Sequence, residues 1–598
     1  MNSYYYGRRD YNQTHEESAP LVLVVLVTLL LIIVAYLLTI RFHVRPHQLV
    51  EVSIYLIAFA ALLTAIAWHF LTLKARRENT WPHAPVLVPM LKDESHLQKA
   101  FAQKAVVVGH NVHSRPWLWS DDVRVMQALL AGQSGAGKTT LLRNVITQDV
   151  RRVVGTRENP HRIPIIIFDG KGDQEFLSSL LPEIAAAGRM SQLRILDPSR
   201  ADISVRYNPF YSKDDSYQER VNFIFESFAL REDFFHGHQA AYLSDLARVL
   251  WHTGKGFNIH DVLVMALDPQ VMREQIQEAR YRIEHVSGTG EQQRMNFEMS
   301  VRSLFQSFQD RERVPKIQGL LNELMTFLED DLSIITGPYE DLLTLDEIID
   351  QELILFVSLN VNRNSRAVTA LGRMLLQNLQ LMVGKRYENE RERRPEGRPM
   401  VSVILDEFAP FAYPNFAQIL QTARGANTGF LFSLQSVSQL LSVSRGFRDD
   451  VSSAPNTIML MRTRDEETAQ YFLKASSRIT GKRRTLTVQQ TGLFQKKYEE
   501  IGFGSETEIR ETRSHEEHIK NLPVGQMEIL MTDNRLGTLH SHLHVRRPSN
   551  FHLPCMDLTL YPRVTTPNRL SQGANLRFKD SGLTQRYARI TGRAGLAG

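Results

Sequence analysis

Residues 125–140 read VMQALLAGQSGAGKTT: an apolar run, a glycine-rich turn and the first turn of a helix that continues as LLRNVI (141–146). The stretch contains a complete GxxxxGK[ST] pattern, with Gly132, four residues, Gly137, Lys138 and Thr139. Strand, glycine loop and helix in that order make a phosphate cradle. The glycines let successive backbone N–H groups turn inward, and the helix that follows adds its positive end. The expectation is that Gly132, Gln133, Ser134, Gly135, Ala136, Gly137, Lys138, Thr139 and Thr140 hold ATP. Lys138 is expected to reach the β- and γ-phosphates as a catalytic residue, and the Thr139 hydroxyl to ligate Mg2+.

Downstream, PIIIFDGKGD (164–173) reads as a buried parallel strand ending in a polar turn. In a doubly wound sheet the carboxyl ends of the strands face the ligand crevice, which puts Asp169 and Lys171 near it. A plain strand-ending turn is the alternative, and both readings stay open. MVSVILDEF (400–408) is an apolar strand closing on paired carboxylates. Asp406 fits a Mg2+ partner, and Glu407 fits the general base that polarises an attacking water.

Lys138 and Asp406 are separated by 268 residues, too many for one nucleotide-binding core. Within that gap, HQAAYLSDLARVLWHT (238–253), PQVMREQIQEARYRIEHV (269–286) and EQQRMNFEMSVRSLFQSFQ (291–309) carry apolar positions at helical spacing. Strand character returns at ELILFVSLN (352–360). The expectation is an α/β fold with an all-α domain inserted in it. After the paired carboxylates, ILQTARGANTGFLFSLQSVSQL (419–440) reads as helix, turn and buried strand. Gln435 ends that strand, placed to sense a γ-phosphate. Arg424 ends the helix, where it either faces a neighbouring subunit or is a surface charge.

Leu21–Ile40 is a run of twenty residues without a charge, and Val52–Leu73 is a second of similar length. At about 1.5 Å per residue such a run spans roughly 30 Å, the thickness of a bilayer core. The short connection RFHVRPHQLVE (41–51) makes the pair an antiparallel hairpin. Arg8, Arg9, Lys74, Arg76 and Arg77 flank it outside, against Arg41 and Arg45 in the loop, which favours both chain ends in the cytoplasm.

The formal charge of +5 sits in the tail, because the last 36 residues carry seven Lys and Arg against one Asp. The body is therefore near neutral, and the alkaline balance does not by itself give it a nucleic-acid face. Cys555 is the only cysteine, which excludes an internal disulfide and a cysteine-based metal site. The twenty histidines form no HExxH pattern, and no structural metal is expected.

Taken in order, these segments resemble the type IV secretion coupling proteins, the TraD/TraG group of the FtsK/HerA superfamily of hexameric motors. The resemblance rests on the two-span anchor, LLAGQSGAGKTT, IIFDGKGD, RYNPF (206–210), VILDEF, TARGANTGFLFSLQSVSQL and HIKNLPVGQMEILM (518–531), and it covers about 20–560. It implies a RecA-like P-loop motor domain with an inserted all-α domain behind a transmembrane hairpin, six subunits forming a ring, and a place in the bacterial inner membrane with the motor in the cytoplasm. It further implies a substrate of relaxase-bound single-stranded DNA or a protein effector, delivered to the secretion channel components. By resemblance Arg424 is an arginine finger acting on the neighbouring subunit, and Gln435 is the sensor. The expected divisions are a cytoplasmic segment at 1–20, the hairpin at 21–73, motor at 80–215 and 331–561, the all-α domain at 216–330, and a basic, disordered tail at 562–598. Two other classes compete: a receptor for protein effectors whose ATPase serves docking, and an FtsK-like translocase of double-stranded DNA. Lys482, Arg483 and Arg484 are candidate pore residues, or simply a basic surface loop.

Overall fold

The computed structural model describes residues 94–548, less 112, 201–202, 212–216, 229, 231–234, 286–289, 311, 329, 338–341, 362–364, 393–398, 477, 492–496, 513 and 534–536. The expected spans at Leu21–Ile40 and Val52–Leu73, the segment 1–20 and the tail 562–598 lie outside the described residues. Among the described residues no helix is long and apolar enough to cross a membrane.

The strands are β1 (Ala105–His110), β2 (Pro116–Ser120), β3 (Ala128–Ala131), β4 (Val153–Gly155), β5 (Pro160–Arg162), β6 (Ile165–Asp169), β7 (Leu193–Leu196), β8 (Ile354–Ser358), β9 (Val401–Asp406), β10 (Thr428–Leu434), β11 (Thr457–Met461), β12 (Arg478–Thr491), β13 (Lys497–Thr512), β14 (Gln526–Asp533) and β15 (Gly537–Val545). Eleven of them form one sheet in the order β2-β1-β15-β14-β11-β3-β10-β9-β6-β8-β7. From β11 to β7 every pairing is parallel, and from β14 to β2 every pairing is antiparallel. The fold is thus mixed α/β around a large, mainly parallel sheet.

The parallel strands read as unbroken apolar runs because both faces are covered. Leu130, Ile165, Ile167, Ile404 and Leu431 face one core, closed by the helices Lys138–Arg151 and Gln174–Ala186. Leu129, Ile166, Phe168, Val403, Leu405 and Phe432 belong to the other. That second core runs without a break into the helices between β7 and β8, among them His236–His252, Ile259–Leu267, Glu291–Gln309 and Arg313–Thr326. The helical region shares its apolar interior with the sheet, with Leu243, Leu246, Val262 and Leu320 in the same cluster as the strand residues.

At the carboxyl end of the helix Lys138–Arg151, Arg124 grips Asp149 with two hydrogen bonds of 2.7 and 2.5 Å, Ser402 Oγ donates to Asp149 at 2.8 Å, and Arg152 pairs with Asp121 at 2.5 Å. Arg124, Asp149 and Arg152 are buried, so each charge is compensated in place. β12 and β13 form a separate two-stranded ribbon, with Arg478 opposite Thr512 and Thr491 opposite Lys497. Its register sets Lys482 opposite Glu508 and Arg484 opposite Glu506.

Candidate nucleotide-binding site

The strand order decides what meets at the crevice. β3 leads directly into the glycine loop. β10 lies between β3 and β9, pairing with both, and β6 lies beyond β9. Their carboxyl ends therefore bring together the loop, Gln435, the Asp406–Glu407 pair and the Asp169–Lys171 turn.

The loop is held from both sides. Gly132 N–H donates to Leu434 O at 3.2 Å, Gln133 N–H to Arg462 O at 2.9 Å, and Gly525 N–H to Ala136 O at 3.0 Å. Gly137 caps the helix Lys138–Arg151 with φ of 110°, a conformation that side chains resist. A Cβ there would also press on Gly525 N at 3.2 Å. Lys138 folds back over the loop, its Nζ 2.5 Å from Gly132 O and 3.9 Å from Glu407 Oε1. Burial holds the Lys138 ammonium below its usual range, and repulsion from Lys171 adds to this; attraction to Glu407 and Asp406 offsets only part.

Asp406 and Glu407 are fixed by one hydroxyl. Ser433 Oγ donates to Asp406 Oδ1 at 2.6 Å and accepts Glu407 N–H at 3.0 Å. Thr139 Oγ1 lies 3.4 Å from Asp406 Oδ2, which brings the two expected Mg2+ partners side by side. Glu407 has φ of 53°, a strained backbone for a side chain with a Cβ, and it is 7% exposed. Such strain persists only where neighbours enforce it. Gln435 Nε2 donates to both Glu407 carboxylate oxygens at 3.3 Å.

The turn after β6 takes part as well. Lys171 Nζ lies 3.2 Å from Glu407 Oε1 and 3.8 Å from Asp406 Oδ2. Burial works against its charge, yet Asp406 and Glu407 together raise the Lys171 ammonium above its ordinary value. Asp169 sits opposite Asp406 in register and is fully buried. Burial pushes its carboxyl up to about 7, although it accepts the N–H groups of Lys171 at 3.0 Å and Asp173 at 2.6 Å.

Arg424 stands apart from this group. It caps the helix Phe416–Ala423, is exposed, and makes no side-chain hydrogen bond or ion pair among the described residues. Sequence reasoning left Lys171 open and missed Ser433 and Gly525. Ser433 is one small polar residue inside an apolar strand, FLFSL (430–434), and that is its only signal in the sequence.

A family model described as type IV secretory system conjugative DNA transfer matches residues 160–501, more than half of the chain. Among solved structures, an unbound form of a bacterial conjugative coupling protein, TrwBdeltaN70, is 16% identical, with 77% of this chain and 92% of that one covered and a TM-score of 0.47. The plasmid coupling protein TrwB in complex with ADP and Mg2+ is also 16% identical, over 77% and 95% of the two chains, with a TM-score of 0.46. VirB4 of Thermoanaerobacter pseudethanolicus is 14% identical over 75% and 97%, with a TM-score of 0.43. No curated protein matches the sequence.

Proposed function

This chain belongs to the type IV secretory system conjugative DNA transfer family, and from that we propose that it is a membrane-anchored, RecA-like ring ATPase that drives relaxase-bound single-stranded DNA into a secretion channel. The observation that carries the ATPase reading is the insertion of β10 between the glycine-loop strand and the carboxylate strand. It sets Gln435 against Glu407, and Glu407 against Lys138, at one mouth.

ATP fits the cradle formed by Gly132–Thr140 on its chemistry: inward amides, a helix amino end and Lys138. Mg2+ fits the Thr139 hydroxyl and Asp406, and when bound it supplies charge neutralisation at the β- and γ-phosphates. Glu407 takes the proton of the attacking water, and its strained backbone aims the carboxylate away from the strand axis. Lys138 stabilises the charge that develops on the transferred phosphoryl group. Gln435 holds the Glu407 carboxylate and reports whether the γ-phosphate is present. Arg424, exposed and uncommitted within its own subunit, completes the neighbour's site in trans. The 21–73 hairpin anchors the motor in the inner membrane.

The test is stimulation by DNA. Full-length protein in detergent should hydrolyse ATP faster with single-stranded DNA, with little sequence preference and a response that falls steeply with salt. Full ATPase activity with no response to single- or double-stranded DNA rejects the DNA cargo and selects the effector-receptor reading. A response to duplex alone selects the FtsK-like one.

A further inference from the structure

A second cluster of chemistry-bearing side chains lies away from the phosphates. β15 reads GTLHSHLHV, so His540, His542 and His544 fall on one face of a strand at period two. β14 runs antiparallel beside it, with Glu528 directly opposite His542. His518 comes from the helix Glu516–Lys520. His518 Nε2 and His542 Nδ1 converge on the same carboxylate oxygen, Glu528 Oε1, at 2.6 and 2.8 Å, and His540 Nε2 meets Oε2 at 2.6 Å. All four residues are buried. Phe472 lies edge-on to His540, with Ile519 and Leu530 completing the apolar wall.

The donor count at His542 is informative. Its Nδ1 faces the Glu528 carboxylate, and its Nε2 faces Gln526 Oε1 at 2.8 Å. The carboxylate accepts only, and the Gln526 amide presents its oxygen in this orientation, while a neutral imidazole carries one N–H. With the Gln526 oxygen facing His542, a cation between His542 and Glu528 satisfies both contacts, and it is either an extra proton or a metal ion. A proton serves one imidazole. A divalent ion serves His542 and His518 together and also compensates the buried carboxylate. It leaves His542 Nε2–H to donate to Gln526, the outer contact that metal-bound histidines usually make.

We propose that His518, His542 and Glu528 bind a structural divalent cation of the zinc type, with His540 holding the far carboxylate oxygen. Two imidazole nitrogens and one carboxylate oxygen suit zinc over magnesium or calcium, which prefer all-oxygen shells. Ligand atoms around an ion at about 2.0–2.1 Å sit roughly 3.3 Å apart, so its entry moves each side chain by about half an ångström. The ion fastens the helix Glu516–Lys520 to β14 and β15. It thereby fixes the turn ending at Gly525, whose N–H holds Ala136 of the glycine loop. Ser476, which lies 3.2 Å from His540 Nδ1 just before β12, ties the root of the ribbon to the same point.

The full chain, carrying no polyhistidine tag, is purified in detergent and its metal content measured by mass spectrometry. About one zinc per chain is expected. Stripping with dipicolinate and adding Co2+ should give the visible absorption of a low-symmetry four-coordinate site, and zinc should restore the melting temperature lost on stripping. His518→Gln and His542→Gln should each lose the zinc and the Co2+ spectrum, while His285→Gln on an exposed helix keeps both. Should the two site variants fail to fold, wild-type stoichiometry and the Co2+ spectrum decide. A wild-type chain without zinc, without a Co2+ spectrum and with a melting temperature indifferent to zinc overturns the proposal and makes the cation a proton. Zinc retained by folded His518→Gln and His542→Gln overturns it equally.

Discussion

Lys171, just past the end of β6, lies 3.2 Å from Glu407 Oε1 and 3.8 Å from Asp406 Oδ2 at the end of the adjacent β9, so one ammonium bridges the proposed general base and the proposed metal carboxylate. The same corner is the proposed Mg2+ site, and two cations this close compete. Lys171→Met removes the resident positive charge. The free Mg2+ needed for half-maximal ATPase rate should fall about three- to tenfold, corresponding to about 1 kcal/mol for one like charge at a partly screened site. A titration of rate against free Mg2+ at fixed ATP reads this directly, and an unchanged midpoint means that Lys171 leaves before Mg2+ arrives.

Ser433 serves two partners with one hydroxyl. Ser433→Ala leaves the buried Glu407 N–H without its acceptor and Asp406 Oδ1 without its donor. The cost in stability should be about 1–3 kcal/mol, seen in chemical denaturation. Because the strained backbone at Glu407 loses its clamp, kcat should drop at least tenfold while ATP affinity changes little. Equal loss of affinity and rate would show that the cradle itself had collapsed.

The Arg424 assignment is tested by mixing subunits. Arg424→Ala should bind ATP through its intact loop and hydrolyse almost none, since a guanidinium at the γ-phosphate contributes about 10³–10⁵ in rate in related enzymes. Rings combining Arg424→Ala with Glu407→Gln subunits contain some interfaces where both residues are intact, so part of the activity should return. Normal hydrolysis by a pure Arg424→Ala ring rejects the finger.

Asp169 makes stability depend on pH. Its folded value, about 7, lies above the unfolded value near 3.9. The folded state therefore holds more protons than the unfolded state between these values, and stability falls as pH rises from about 4 to about 7. Asp169→Asn should flatten this slope, which amounts to about 4 kcal/mol over the window. Denaturation midpoints of wild type and variant, measured from pH 4.5 to 7.5, should agree at the acid end and diverge toward the alkaline end, with the variant the more stable there, if the Asn amide keeps the turn. Parallel curves would show that Asp169 is ionised throughout.

Features written in consecutive residues were legible: the glycine loop, the paired carboxylates, and the apolar spacing of His236–His252 and Glu291–Gln309. Pairing between distant segments was not. Nothing local says that β10 slips between β3 and β9, since parallel neighbours are chosen by fit across hundreds of residues. Lys171 stayed ambiguous for the same reason, because its carboxylate partners lie more than two hundred residues away in sequence. The histidines of GTLHSHLHV (537–545) carry no local sign of their acidic partner. The relevant period was that of a strand, and its acidic partner came from the strand opposite. Similarly, the triplet Lys482–Arg484 reads as a basic patch, while the register supplies glutamates opposite two of its members.

The place of β3 also sets a timetable for biosynthesis. Its two sheet neighbours, β10 and β11, begin at Thr428 and Thr457. A ribosome adding about 5–20 residues per second needs roughly 15–60 s to travel from the glycine loop to β10. Throughout that interval the nascent loop lacks the strands that give it shape, and Gly525 comes later still. The segment 21–73, proposed as a bilayer anchor, emerges long before any of this. On that proposal the chain reaches its membrane before it can consume nucleotide, and a polypeptide cut short before residue 428 is an idle fragment.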